Sequence, residues 1–120
     1  MLNHRQKQRY ISGWLKRKEE RQAQLKEQQR LALEKAFEIA QMLKAKYGAR
    51  KVVLFGSLVK GKYWRHSDID IAVHGIDESR YLDAAWEASQ IALPFKVDLL
   101  PLESVAETLK RKIEDEGLVM

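Results

Sequence analysis

The residues of this chain whose types and spacing could do chemistry are a glycine-serine turn and three carboxylates. Gly56-Ser57 is followed, after ten intervening residues, by Asp68-Ile69-Asp70, and Asp98 stands inside the apolar run Phe95-Lys96-Val97-Asp98-Leu99-Leu100. Two like charges one residue apart repel unless something positive lies between them, and hard divalent cations take oxygen ligands of this kind. A glycine-serine turn beside them could grip a phosphate, so the set reads as a metal-dependent phosphoryl-transfer site. Each part alone is weak: an Asp-x-Asp is more often a solvated strand edge, and a Gly-Ser after a strand more often only a turn. The conjunction, in this order and on these elements, favours the site.

The elements that must position these groups can be read from the flanks. Val52-Val53-Leu54-Phe55 is a short apolar run that stops at Gly56-Ser57, the pattern of a buried strand opening into a tight turn. Ser57 is expected to cap a short helix through Leu58-Val59-Lys60, aiming backbone N–H groups and its hydroxyl at an anion. Ser67-Asp68-Ile69-Asp70-Ile71-Ala72-Val73 alternates with period two. That sends Asp68 and Asp70 to one face and Ile69, Ile71 and Val73 to the other. Asp98 belongs to a further short strand that could bring the third carboxylate alongside. Paired Mg²⁺ ions held by the three would neutralise a triphosphate and stabilise the attacking and leaving oxygens of an in-line displacement.

Gly56-Ser57-x10-Asp68-x-Asp70 resembles the signature of the nucleotidyltransferase superfamily related to DNA polymerase β, and the chain is more closely similar to its minimal nucleotidyltransferase (MNT) proteins. The likeness runs from about Leu33 to the end. It passes through Val53-Leu54-Phe55-Gly56-Ser57, Gly61, Ser67 to Val73, Val97-Asp98-Leu99 and the closing Ile113-Glu114-Asp115-Glu116-Gly117. The resemblance implies an α+β fold, a small mixed sheet backed by helices. It also implies ATP as co-substrate, Mg²⁺ as cofactor, with two ions expected, and transfer of a nucleoside monophosphate to a hydroxyl. Many MNT proteins are antitoxins paired with a HEPN-domain ribonuclease toxin, one of whose tyrosines they adenylylate. By position, Gly56 and Ser57 would hold the triphosphate, Asp68 and Asp70 would ligate metal, and Asp98 would complete the site and help activate the acceptor hydroxyl. The family turn often reads Gly-Ser-x-Ala-Arg-Gly, whereas this chain has Gly56-Ser57-Leu58-Val59-Lys60-Gly61. Lys60 keeps the charge for a phosphate contact but loses the bidentate fork.

Size bounds the rest. With 120 residues, 45% of them hydrophobic, there is material for one core and none for a separate acceptor-binding domain. The absence of cysteine excludes disulfides, thiol chemistry and cysteine-ligated zinc. No apolar stretch approaches the roughly 20 residues of a membrane span. The basic stretch from Met1 to Arg9 is not followed by the apolar region of a signal peptide. The cytoplasm is the expected compartment. His4, His66 and His74 have no metal-ligand spacing, and His66, Lys62 and Arg65 read first as solvated loop residues near a phosphate site.

Charge divides the chain. Residues 1–30 carry nine Lys/Arg against three Glu, a net of +6, so the formal +5 of the whole chain resides in this segment. We read 1–30 as a basic helical arm and 31–120 as the nucleotidyltransferase domain. The arm is rich in helix formers and carries one short apolar stripe, Ile11, Trp14 and Leu15, read either as a partner surface or as a helix whose tryptophan folds back on the domain. Lacking interleaved aromatics, it is not expected to bind nucleic acid. A second stripe, Leu33, Ala36, Phe37, Ala40, Leu43 and Tyr47, reads as core and ends near Gly48. Leu82, Ala85, Trp86, Ser89, Ala92 and Leu93 form a helical core face stopped by Pro94. Leu102, Val105, Ala106, Leu109 and Ile113 form a further helix, which Gly117 ends.

Two classes of function remain open. In the first, the chain is an antitoxin and protein adenylyltransferase that moves AMP to a hydroxyl of a HEPN toxin, with which it forms a hetero-oligomer. In the second, it works by covering its partner and the nucleotide site is secondary. Nucleotidylation of a small molecule such as an aminoglycoside is the alternative chemistry, disfavoured by the missing second domain.

Overall fold

A computed structural model describes residues 3–61 and 68–120. The expected Ser67, with Lys62, Arg65 and His66, lies outside the described residues. The first helix, α1, runs unbroken over His4–Tyr47, 44 residues, and so is about 66 Å long. Asn3 caps it by accepting from the Gln6 N–H while the Gln6 side chain accepts from the Asn3 N–H. Gly48, at φ 70°, ends it in the left-handed conformation. The expected division between residues 30 and 31 falls inside this helix, where the backbone has no break.

A three-residue turn leads into β1 (Lys51–Phe55), then α2 (Ser57–Lys60), β2 (Ile69–His74), a 3-10 turn (Glu78–Arg80), α3 (Tyr81–Ala92) and β3 (Val97–Pro101). A second 3-10 turn (Leu102–Ser104), α4 (Glu107–Glu116) and the two-residue β4 (Leu118–Val119) complete the chain. The sheet order is β3-β2-β1-β4, with β1 antiparallel to both neighbours and β2 parallel to β3. This is the mixed sheet with helices that the sequence led us to expect; the β4 edge strand was not foreseen. Among the described residues no helix is long and apolar enough to cross a membrane.

Strand alternation gives the sheet two differently clad faces. Val52, Leu54, Ile69, Ile71 and Val73 pack against α1 and α3 in the main core. Val53 and Ala72 pack on the other side with Leu102 and Ile113. Asp70 lies two residues from Ala72, so it shares that second face.

Three helical readings need correction. On α1 the buried stripe is Ala32, Ala36, Ile39, Ala40, Leu43 and Tyr47, while Phe37 is 53% exposed; at 100° per residue Phe37 points well off the stripe. On α3 the core face is Ala84, Ala88 and Ala92, whereas Leu82, Trp86 and Leu93 are exposed. The alanines of α3 and those of α1 belong to one core, and small side chains on both helices let their axes approach closely. Hydrophobic bulk pointed to the wrong face. The last predicted helix divides: Leu102 is buried in the 3-10 turn, Val105 and Ala106 are extended, and α4 starts at Glu107. Leu109 is left exposed.

The direction of α1 relative to the sheet is set by contacts along its length. Near the C-terminal end of α1, Lys44 donates to the Met120 carbonyl, and the Met120 N–H donates to Val52 at the start of β1. Only three residues separate α1 from β1, which forces the chain to double back, and α1 also touches α2, which comes after β1 in the chain. Thus β1 runs back along α1, and its C-terminal end points the same way as the N-terminal half of the helix.

Candidate active site

The expected site residues converge at that end of the sheet. β1 finishes at Phe55 and delivers Gly56; antiparallel β2 and its parallel neighbour β3 both begin there. Asp70 pairs with Phe55 on one side and with Asp98 on the other. Residues paired across a ladder point to the same face, so Asp70 and Asp98 stand side by side. Asp68 lies exposed, just outside the β2 ladder.

Electrostatics reflect this crowding. Burial pushes the Asp70 carboxyl above its ordinary pKa, and the charges of Asp98 and Asp68 push it further in the same direction. Both neighbouring carboxylates therefore act on Asp70 through space. Among the described residues no three acidic or imidazole groups are already gathered as a metal centre. The donor chemistry nevertheless fits a hard divalent cation, being all carboxylate oxygen.

Gly56 shows why the turn needs glycine. Its φ of 81° and ψ of −156° lie in a region open in practice only to glycine. A Cβ placed there would sit 2.4 Å from Asp70 Oδ2. The bare backbone thus approaches the carboxylate directly. Gly56 itself is the N-cap residue of α2, and Ser57 is its first helical residue, without a side-chain capping bond. The expected Ser57 cap is therefore corrected: the left-handed glycine already turns the chain, and the serine hydroxyl is not used to hold the helix.

Lys60 forms an ion pair with Glu116 at 3.4 Å. The two line a cleft of about 200 Å³ with Phe55, Gly56, Leu109, Lys112 and Ile113. A larger cleft of about 510 Å³ lies at the far ends of β2 and β3, lined by Val73, Tyr81, Pro101 and Glu103 among others. It contains none of the expected site residues, and the convergence of carboxylates, not cavity size, locates the candidate site.

One supporting residue escaped the sequence reading. Tyr81, at the start of α3, donates its hydroxyl to the Leu99 carbonyl on β3. Because β3 is the sheet's edge and carries Asp98, this bond holds the strand on the side where it has no ladder. Burial, with the nearby charges of Asp98 and then Glu103, pushes the Tyr81 pKa up to about 12, so it stays a donor. A tyrosine opening a helix gives no periodic signal of such a contact. Gly117, expected as the end of the last helix, does end α4; a Cβ there would meet Val53 Cγ1 at 2.4 Å and the Ile113 carbonyl at 2.5 Å, so only glycine lets the chain leave α4 against β1.

The fold and this arrangement define a nucleotidyltransferase. The family model described as Polymerase beta, Nucleotidyltransferase matches residues 37–120, and the chain belongs to that family. It is 36% identical over 84 residues to a protein of Methanocaldococcus jannaschii named as a putative protein adenylyltransferase, covering 65% of this chain and 82% of that one. It is 39% identical over 69 residues to the protein adenylyltransferase MntA of Shewanella oneidensis, over 55% of this chain and about half, 49%, of MntA. A crystal structure of a toxin-antitoxin with AMP-PNP is similar at 32% identity and a TM-score of 0.55, over 70% of each chain.

Proposed function

We propose that this chain is an antitoxin with Mg²⁺-dependent protein adenylyltransferase activity. It transfers AMP from ATP to a tyrosine hydroxyl of a partner HEPN ribonuclease toxin in the cytoplasm and so inactivates it. One observation carries the reading: Asp70 and Asp98 stand side by side across β2 and β3, against the bare Gly56 turn, in a chain whose relatives are named as adenylyltransferases. The neighbouring toxin-antitoxin structure with AMP-PNP supports ATP as the donor.

In this mechanism Gly56 and Ser57 receive the triphosphate through backbone N–H groups and the serine hydroxyl at the start of α2. Asp68, Asp70 and Asp98 would hold Mg²⁺, which supplies charge neutralisation at the triphosphate and at the leaving oxygen. The acceptor oxygen attacks the α-phosphorus, the bond to the β-phosphate oxygen breaks, and pyrophosphate leaves on the opposite side. The hydroxyl proton passes to the Asp98 carboxylate. A tyrosine hydroxyl has an ordinary pKa of about 10, so a base within reach matters to the rate.

The test is intact-mass spectrometry of the protein encoded beside this chain after incubation with the full chain, ATP and Mg²⁺. The expected result is a gain of one or more AMP units, absent with Asp68→Ala/Asp70→Ala. A stable complex with no mass gain would overturn transfer in favour of inhibition by binding alone.

A further inference from the structure

The N-terminal half of α1 projects from the same end of the molecule at which Gly56, Asp70 and Asp98 meet. Its exposed apolar residues are not randomly placed. At 100° per residue, Ile11, Trp14 and Leu15 all lie within about 60° of the direction of Ala36, the middle of the buried stripe. The arm therefore continues the core face of α1 past the end of the sheet, where Ile11 is 56% and Trp14 and Leu15 are each 47% exposed. Lys7, Lys18 and Arg21 fall on this same face by the same count, and the Lys18 ammonium sits 5.3 Å from the centre of the Trp14 ring.

The five residues of β1 span about 17 Å, which is about 11 helical residues, so the site lies level with residue 36 of α1 and Trp14 stands about 33 Å beyond it. That distance is about the diameter of a small domain. Anything seated on the arm's stripe lies beyond the end of the sheet at which the site opens.

We infer that the arm is a docking lever for the acceptor protein: Ile11, Trp14 and Leu15 enter an apolar slot on it, and Lys7, Lys18 and Arg21 meet carboxylates at the slot's rim. The inference rests on the protein-modifying reading of the site. Charge selects this occupant over a second copy of the chain, since two arms of net +6 repel, and Lys18 and Gln22 interrupt the seam between Leu15 and Leu25. The i, i+3, i+4 apolar anchors favour a protein groove over a phosphate backbone, which offers no apolar slot.

The experiment measures, with the full chain and the neighbouring toxin, both the equilibrium affinity and the acceptor concentration for half-maximal AMP transfer. Trp14→Ala/Ile11→Ala and Lys7→Glu/Lys18→Glu/Arg21→Glu are compared with Asp70→Asn/Asp98→Asn, circular dichroism confirming the helix in each. Arm variants should lose affinity on the order of 30-fold, as anchors of an interface do, and raise the half-maximal concentration in parallel while leaving the rate at saturating acceptor unchanged. The aspartate variant should bind normally and not transfer. Unchanged affinity in both arm variants overturns the docking inference whether or not AMP is transferred. Arm-dependent binding without transfer by the unaltered chain would instead sink the adenylylation reading and leave the docking surface standing. Binding of the arm to a duplex RNA probe, or arm-dependent self-association, with no arm-dependent affinity for the toxin, also overturns it.

Discussion

Replacing Gly56 by alanine separates the chemistry of the turn from its folding role. The backbone there has φ 81° and ψ −156°, and holding an alanine in such a conformation costs about 1–3 kcal/mol. For a cooperative unit of this size that lowers the Tm by roughly 4–20 °C. The geometry adds a second effect, because the new methyl would sit 2.4 Å from Asp70 Oδ2 and the carboxylate must move away. Gly48→Ala is the matched control: Gly48 is also left-handed, at φ 70°, but nothing lies within 4 Å of a Cβ there. It should cost about 1–2 kcal/mol and leave AMP transfer intact well below its melting temperature. Gly56→Ala, assayed well below its own Tm where circular dichroism shows it folded, should lose transfer by about 100-fold or more, the loss expected when a 1 Å misplacement disturbs a reacting geometry. A folded Gly56→Ala protein that transfers AMP about as fast as the unaltered chain would refute the argument that bare backbone at this position positions the Asp70 oxygen.

Other consequences can be checked on the same preparations. Asp70 is held above its ordinary pKa by burial and by Asp98 and Asp68, so its ionised form opposes folding, and its contribution to stability falls as pH rises above about 3.8. In chelator at pH 7, Asp70→Asn should therefore raise the Tm, while abolishing transfer; a lowered Tm would contradict this. Mg²⁺ should raise the Tm of the unaltered chain more than that of Asp70→Asn. Tyr81→Phe removes the hydroxyl held by Leu99 and should cost about 0.5–1.5 kcal/mol by urea unfolding. With the folded Tyr81 pKa raised from 10.0 to about 12, its stabilisation is complete below pH 10 and is lost as pH climbs toward 12, so the two proteins should converge there. Trp86→Ser, on the exposed face of α3, should change stability by no more than about 0.5 kcal/mol. Ala88→Leu, which overfills the contact with α1, should cost about 1–3 kcal/mol; similar effects for the two would mean the α3 face has been assigned wrongly.

The strands and the site were more legible than the helices for a physical reason. A strand buried on one face writes its register directly into alternate residues, as Ile69, Ile71 and Val73 did. The Gly-Ser and Asp-x-Asp pairs are then tied to strand ends, where chemistry-bearing residues concentrate. Helical faces depend on what lies opposite. Ala84, Ala88 and Ala92 look like weak core candidates beside Leu82 and Trp86, and only the presence of alanines on α1 makes the small face the one that packs. The β4 strand was invisible because two exposed residues, Leu118 and Val119, carry no alternation; their pairing comes from Gly117 bringing them against β1. Ser57 was misassigned as a cap because the sequence shows which residue could accept a bond, not that the glycine before it has already set the turn.

The same logic explains how so small a domain can hold two repelling carboxylates side by side. Asp70 sits on an interior strand, fixed on both sides by β1 and β3, so its position is set by the core beneath Ile69 and Ile71. Asp98 sits on the edge strand, fixed on one side only by β2, and its outer side depends on Tyr81. The outer side of β3 has no second ladder, and its hold there comes from the Tyr81 hydroxyl on Leu99 and from the packing of Val97 and Leu99 in the main core. Positioning of Asp98, and with it the acceptor activation we propose for that carboxylate, should then be more sensitive to Tyr81 and α3 than positioning of Asp70 is to any one residue of the core. In kinetic terms, Tyr81→Phe should depress the transfer rate at saturating ATP more than it weakens ATP binding, because the triphosphate grip we propose lies with Gly56 and Ser57 rather than with β3.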